Sequence, residues 1–179
     1  MNLFILDADI EKCAHFHCDK HIVKMPTELA QMLSTAHRVL DGTMGIEKSA
    51  TNRNVKVWNL NDSARQTTLY KSTHINHPCA IWIRNSSENY KWAYAMLAAL
   101  CEEYTRRYGK IFKIFRTELH RELKKTPDSI KVGPLTKFAL AMPDEYKVED
   151  PVQSYRNYYK IGKKHLHNWK HGNMPDWIL

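Results

Sequence analysis

The stretch Cys18–Leu40 constrains this chain more than any other. Ile22, Met25, Leu29, Met32, Leu33, Ala36 and Leu40 recur at intervals of three and four, the spacing of one buried stripe on an amphipathic helix. This spacing predicts helix over residues 20–40. Pro26 kinks it or opens a second segment at its first turn, and Asp41-Gly42 ends it. Lys20, Lys24 and Glu28 form a second row at i, i+4 and i+8, and His21 lies two turns before Glu28 on nearly the same face. One carboxylate beside two ammonium groups and an imidazole describes either a chemical site or a solvated helix flank. Periodicity alone does not separate the two.

The remaining signals are also mostly helical. Met1–Leu6 is short and apolar and packs on the core, and Asp7 or Asp9 caps a helix over about 9–18. Residues 41–72 are a variable insert, in which Val55, Val57 and Leu60 suggest a short hairpin arm. Pro78 suits the first position of a helix capped by His77 or Asn76, and Asn85 with Glu88 resembles a capping box for the next. That helix carries Ala93, Met96, Leu97, Leu100 and Tyr104 as its stripe and stops at Gly109. A charged helix over about 116–125 precedes a proline-rich wrapped loop to Pro151, anchored by Phe138, Leu140 and Met142. The last helix opens at Pro151, with Val152, Tyr155, Tyr159, Leu166 and Trp169 facing inward. The expectation is a mostly α, compact single-domain helical fold with long loops over residues 1–179.

Charge narrows the partner. The 27 Lys and Arg against 19 Asp and Glu leave +8, which favours a polyanion, because cations that neutralise phosphates release counterions. Five Trp and nine Tyr add stacking surface. Arg156, Lys160, Lys163 and Lys164, interleaved with Tyr158, form a basic aromatic face suited to a nucleic-acid backbone, or ordinary solubilising charge. Cys13, His15, His17, Cys18 and His21 suggest a metal only weakly, since structural zinc takes paired ligands from two separated segments and Cys79 stands alone with His77. No GxGxxG, Walker, GxSxG or HExxH pattern occurs. We expect no metal, no cofactor, no membrane span and a cytoplasmic monomer with reduced cysteines.

Four blocks in order resemble a known family. Asp19-Lys20-His21 with Glu28 seven residues beyond His21 is similar to the first helix of pyrimidine-dimer DNA glycosylases of the phage endonuclease V type. Asn76-His77-Pro78-x-x-x-Trp82 and Glu102-Glu103-Tyr104-x-x-Arg107-Tyr108-Gly109 resemble blocks of its bacterial branch, and Tyr155–Lys163 resembles its Tyr- and Lys-rich DNA-contacting tail. The resemblance implies an enzyme of base excision on double-stranded DNA. Such an enzyme flips a base and attacks sugar C1′ with its N-terminal amine. A catalytic Glu stabilises the positive charge, and an AP-lyase step then nicks the strand. It assigns Glu28 as the catalytic carboxylate, with His21 and His77 supporting the site or contacting DNA. Lys20, Lys24, Arg84 and the last helix would hold phosphates. The chain departs from the family at Asn2, where phage members carry a small residue, and at Thr27, where the best-known members carry Arg. The nucleophile is therefore the amine of Met1, Lys20 or Lys24, or a water activated by Glu28. Two rivals stand beside this reading: a transferase or glycosylase acting on modified bases of phage DNA, and a non-catalytic nucleic-acid-binding protein.

Overall fold

The computed structural model describes all residues 1–179. It is 54% helical, with seven helices and one small two-stranded sheet. After an extended N-terminal segment come α1 (Ile10–Phe16), α2 (Asp19–Asp41), a β1–β2 hairpin (Thr43–Lys48, Asn54–Asn59) and α3 (Ser63–Thr68). Then follow α4 (Pro78–Arg84), α5 (Ser87–Tyr108), α6 (Leu119–Lys124) and α7 (Pro151–Asn157). The hairpin is antiparallel, pairing Thr43 with Asn59 and Lys48 with Asn54.

α2 is the spine. Every residue of its apolar stripe except the terminal Leu40 is buried, and the helix packs on α5 and α4. It runs continuously through Pro26, whose ring is buried. On the other side of the core, Leu3–Leu6 lies extended and buried. α1 is capped by Asp9, whose side chain accepts from the Lys12 N–H. His77 caps α4 ahead of Pro78. α5 is capped by Ser86, not by the expected Asn85, because the Ser86 hydroxyl reaches the N–H groups of both Glu88 and Asn89. Gly109 ends α5 at φ 63°, in the left-handed region that favours glycine.

The largest difference from expectation lies at the C-terminus. The expected long last helix ends at Asn157, followed by a widened π-turn over Tyr158–Gly162 and a 3-10 turn over Lys164–Leu166. Gly162 permits this, since a Cβ there would sit 2.6 Å from the Tyr158 ring. The break sends Tyr159 into the core and leaves Tyr158 half-buried beside Lys163. The charged helix near 120 is also shorter than expected and follows a 3-10 turn at Lys113–Arg116. No helix is long and apolar enough to cross a membrane.

Candidate active site

Glu28 faces the buried N-terminal segment. The Asn2 side chain pins that segment: its Nδ2 donates to the Ala141 carbonyl at 2.8 Å and its Oδ1 accepts from the Leu3 N–H at 2.8 Å. So held, the Met1 amine lies 3.7 Å from Glu28 Oε2, and the Asn2 N–H points at the same oxygen at 3.3 Å. Lys24, one turn earlier on α2, brings its Nζ to 3.0 Å from Oε1. Both carboxylate oxygens thus have nitrogen partners, one of them the chain's α-amine. The Glu28 side chain keeps only 14% of its surface exposed, through a cavity of about 290 Å³. Met1, Asn2, Phe4, His21, Lys24, Tyr158, Lys163 and Leu166 are among the walls of that cavity.

His21 enters this cavity as a neutral donor. Burial, reinforced by His17, Lys163 and Lys24, pushes its pKa down to about 3. Its ring stacks on Phe4 at 4.7 Å, and Nδ1 meets the Tyr159 hydroxyl at 2.8 Å. That hydroxyl already accepts from the Cys18 N–H at 2.9 Å, and burial keeps the phenol protonated. Donation of its hydrogen to His21 Nδ1 at 2.8 Å completes this geometry. The imidazole proton therefore sits on Nε2, which has no partner within the protein and can serve a ligand in the cavity.

His77 stands nearby. Burial lowers its pKa first, with further lowering by the Met1 amine and His74 and an opposing pull from Glu28. Its Nδ1 accepts from the Cys79 N–H at 3.2 Å. Lys163 sits 4.8 Å above the Tyr158 ring as a cation–π pair. The other expected DNA contacts do not reach the cavity. Arg84 donates to the Ile75 carbonyl at 2.7 Å and shapes the loop before α4. Arg156 pairs with Asp7 at 2.8 Å and lies over the Phe16 and Trp177 rings. Lys160 donates to the Leu179 carbonyl, while Lys20 and Lys164 are exposed without partners. Sequence reasoning missed Asn2 as the pin, and Phe4 and Tyr158 as walls; only the aromatic run Tyr158-Tyr159 carried a signal for the last.

The blocks around the site have structural reasons of their own. Arg107 is buried, donating to Asp19 Oδ1 at 2.9 Å, to Glu103 Oε1 at 2.5 Å and to the His15 carbonyl at 2.8 Å. Asp19 also accepts from the His171 N–H. This network ties the start of α2 to α5 and the tail, which fixes where His21 and Glu28 emerge. The cysteines and histidines before α2 are likewise engaged: Cys13 Sγ donates to the Phe4 carbonyl, and His17 Nδ1 donates to that of Cys13 at 2.7 Å. Burial pushes the Cys13 thiol up to about 12.

Compared with protein families, residues 1–116 match the family described as pyrimidine dimer DNA glycosylase. The chain belongs to this family. Membership carries a DNA-glycosylase type of function in DNA repair and a DNA partner. No curated protein and no solved structure matches. The matched region contains Met1, His21, Lys24, Glu28 and His77, whereas the walls at Ala141, Tyr158, Lys163 and Leu166 lie beyond it.

Proposed function

We propose that this chain excises damaged pyrimidines from duplex DNA with the Met1 α-amine as nucleophile and Glu28 as its carboxylate partner, and that it then nicks the strand as a lyase. One observation carries the reading: the α-amine and a shielded carboxylate lie 3.7 Å apart at the mouth of a cavity that a neutral histidine and two lysines share.

The chemistry follows from the groups present. The amine lone pair attacks C1′ while the glycosidic bond breaks and its electrons leave with the base. Glu28 stabilises the positive charge developing on the sugar and takes the proton that the new C–N bond sheds. Glu28 returns that proton to O4′ as the C1′–O4′ bond breaks, and the opened ring leaves an iminium between Met1 and C1′. Loss of a C2′ proton then expels the 3′ phosphate and cuts the strand. Of the amines beside Glu28, the α-amine suits the attack better, because it is shielded on a pinned segment while the Lys24 side chain is largely exposed. Lys24 and Lys163 attract the flanking phosphates, and the His21 Nε2–H donates to a sugar or phosphate oxygen. A damaged base reaches so shielded a carboxylate only by leaving the stack.

Incubation of the purified protein with UV-irradiated duplex, with and without borohydride, tests the reading. The expected outcome is strand cleavage without borohydride and a trapped protein–DNA adduct with it. Intact DNA and no adduct at low salt would remove the proposal.

A further inference from the structure

The insert between α2 and α4 takes no part in the Glu28 cavity, yet its root is rigidly built. The Arg38 guanidinium, buried at the end of α2, donates to the carbonyls of Trp58 at 3.0 Å, Gln66 at 2.9 Å, Leu69 at 2.8 Å and Tyr70 at 2.6 Å. Gln66 ties in the second strand, accepting from the Leu60 N–H at 2.9 Å and donating to Asn59 at 2.8 Å. An isolated two-stranded ribbon is marginal in water; this one is anchored by a buried cation and projects from the core.

What it projects is unpaired charge. Lys48, Arg53, Lys56 and Lys71 are exposed, and none of their side chains makes an ion pair or a hydrogen bond. Glu47, the one carboxylate on the two strands, accepts from the Asn59 amide at 3.2 Å. The register sets Met44 against Trp58, Ile46 against Lys56 and Lys48 against Asn54 on one face. On that face Met44 is 51% and Ile46 65% exposed. A cleft of about 530 Å³ beside the hairpin has Trp58, Lys48, Lys56, Lys71 and Glu47 among its walls. Lys71 begins the segment that runs on to His77, six residues and at most about 20 Å away. His77 in turn feels the charges of the Met1 amine and Glu28.

We infer that the β1–β2 hairpin is a second DNA-binding element that grips the duplex flanking the excised base. Lys48, Lys56 and Lys71 meet phosphates, and the Met44–Ile46–Trp58 face lies against the groove. A two-stranded ribbon fits a major groove about 12 Å wide. The unpaired cations complement a polyanion, and a neutral or basic protein surface would leave them desolvated and unmatched. The inference rests on the proposed function in one respect, that DNA lies across the Glu28 cavity. From Glu28 to the end of α2 is about 20 Å, or roughly six base pairs along a duplex.

The test uses the full chain carrying Lys48→Ala, Lys56→Ala and Lys71→Ala together. Binding to a duplex with one central abasic-site analogue is read by anisotropy across a salt series, and phosphate contacts by hydroxyl-radical footprinting. The triple variant is expected to bind about 10- to 100-fold more weakly at 0.1 M salt, with the salt slope reduced by about 2–3. It is also expected to lose protection about six base pairs from the analogue while keeping protection beside it. Cleavage at saturating DNA is expected to stay within about twofold of the unmodified protein. An unaltered slope and footprint in the variant, with unmodified protein that cleaves irradiated duplex, overturn the hairpin inference alone. Unmodified protein that leaves irradiated DNA intact but shows the hairpin footprint removes the proposed chemistry and supports the hairpin contact.

Discussion

α2 carries two buried histidines, His21 near its start and His37 near its end, and the pair shows how little burial alone says about function. Both are almost fully shielded, at 4% and 1% exposure, and each hydrogen-bonds a buried tyrosine hydroxyl at 2.8 Å. Burial drives both pKa values down, to about 3 for His21 and about 4 for His37. They part at the second nitrogen. His37 donates from Nε2 to Tyr90, which passes its own proton to the Leu123 carbonyl, and Nδ1 accepts from Arg65 at 2.7 Å. Arg65 is itself held by Asp41 and Asp128. Every polar atom there is matched, so the cluster is a latch joining α2, α3, α5 and the loop after α6. His21 keeps one donor unmatched and aimed at a cavity. The same residue type on one helix serves structure where its valences are filled and is available for chemistry where one is left open.

Substitutions at these positions separate structural from chemical roles. Glu28→Gln removes the carboxylate but keeps its shape, and should cut cleavage of irradiated duplex about 10³-fold with DNA affinity within a few-fold. Steady-state cleavage and anisotropy binding decide this, and an unaffected rate would reject Glu28. His37→Phe takes one hydrogen-bond partner from each of Arg65 and Tyr90 inside the core and should cost about 2–4 kcal/mol in urea unfolding while sparing activity per folded molecule. His21→Phe should weigh more on activity, lowering cleavage about 10- to 100-fold while costing about 1–2 kcal/mol through the orphaned Tyr159 hydroxyl. Equal stability losses in the two variants would dissolve the distinction.

Acid titration should treat the two histidines alike. His17, His21 and His37 have folded pKa values near 4, 3 and 4, against 6.5 unperturbed, chiefly through burial. The unfolded chain therefore gains protons below pH 6.5 that the folded chain refuses. Their contribution is fully present above that pH and is lost as pH falls toward 4–3. Each histidine should contribute about 1.4 kcal/mol per pH unit, so urea unfolding at pH 7.5 and pH 5 should differ by several kcal/mol. Each Phe variant should remove about one proton from the slope. The smallest effect belongs to Lys24→Met: its ammonium is largely exposed, so the change should raise KM a few-fold at low salt and little at high salt.

Much of this was legible in the chain. The stripe of α2 and the Asp9, His77 and Gly109 caps are local rules, and local rules read directly from spacing. The Lys24–Glu28 pair also follows from helix spacing. The approach of the Met1 amine to Glu28 does not. It depends on Asn2 reaching the Ala141 carbonyl, 139 residues away in sequence. The break after Asn157 was hidden because Tyr155, Tyr159 and Leu166 keep an approximately helical rhythm. Only the crowding of Gly162 on Tyr158 shows why the chain widens there. That Asp7 holds Arg156 and the Ile75 carbonyl holds Arg84 was hidden, because a cation's sequence position does not show which carboxylate or carbonyl lies beside it.

The most direct test of the Met1–Glu28 centre is to map the borohydride-trapped adduct. Irradiated duplex is reduced onto the protein, the DNA is digested, and peptide mass spectrometry locates the sugar remnant. The remnant should lie on the α-amine of the peptide beginning at Met1, and Glu28→Gln should leave it undetectable. A remnant on Lys24 or Lys20, or cleavage with no adduct at all, would contradict the Met1–Glu28 centre.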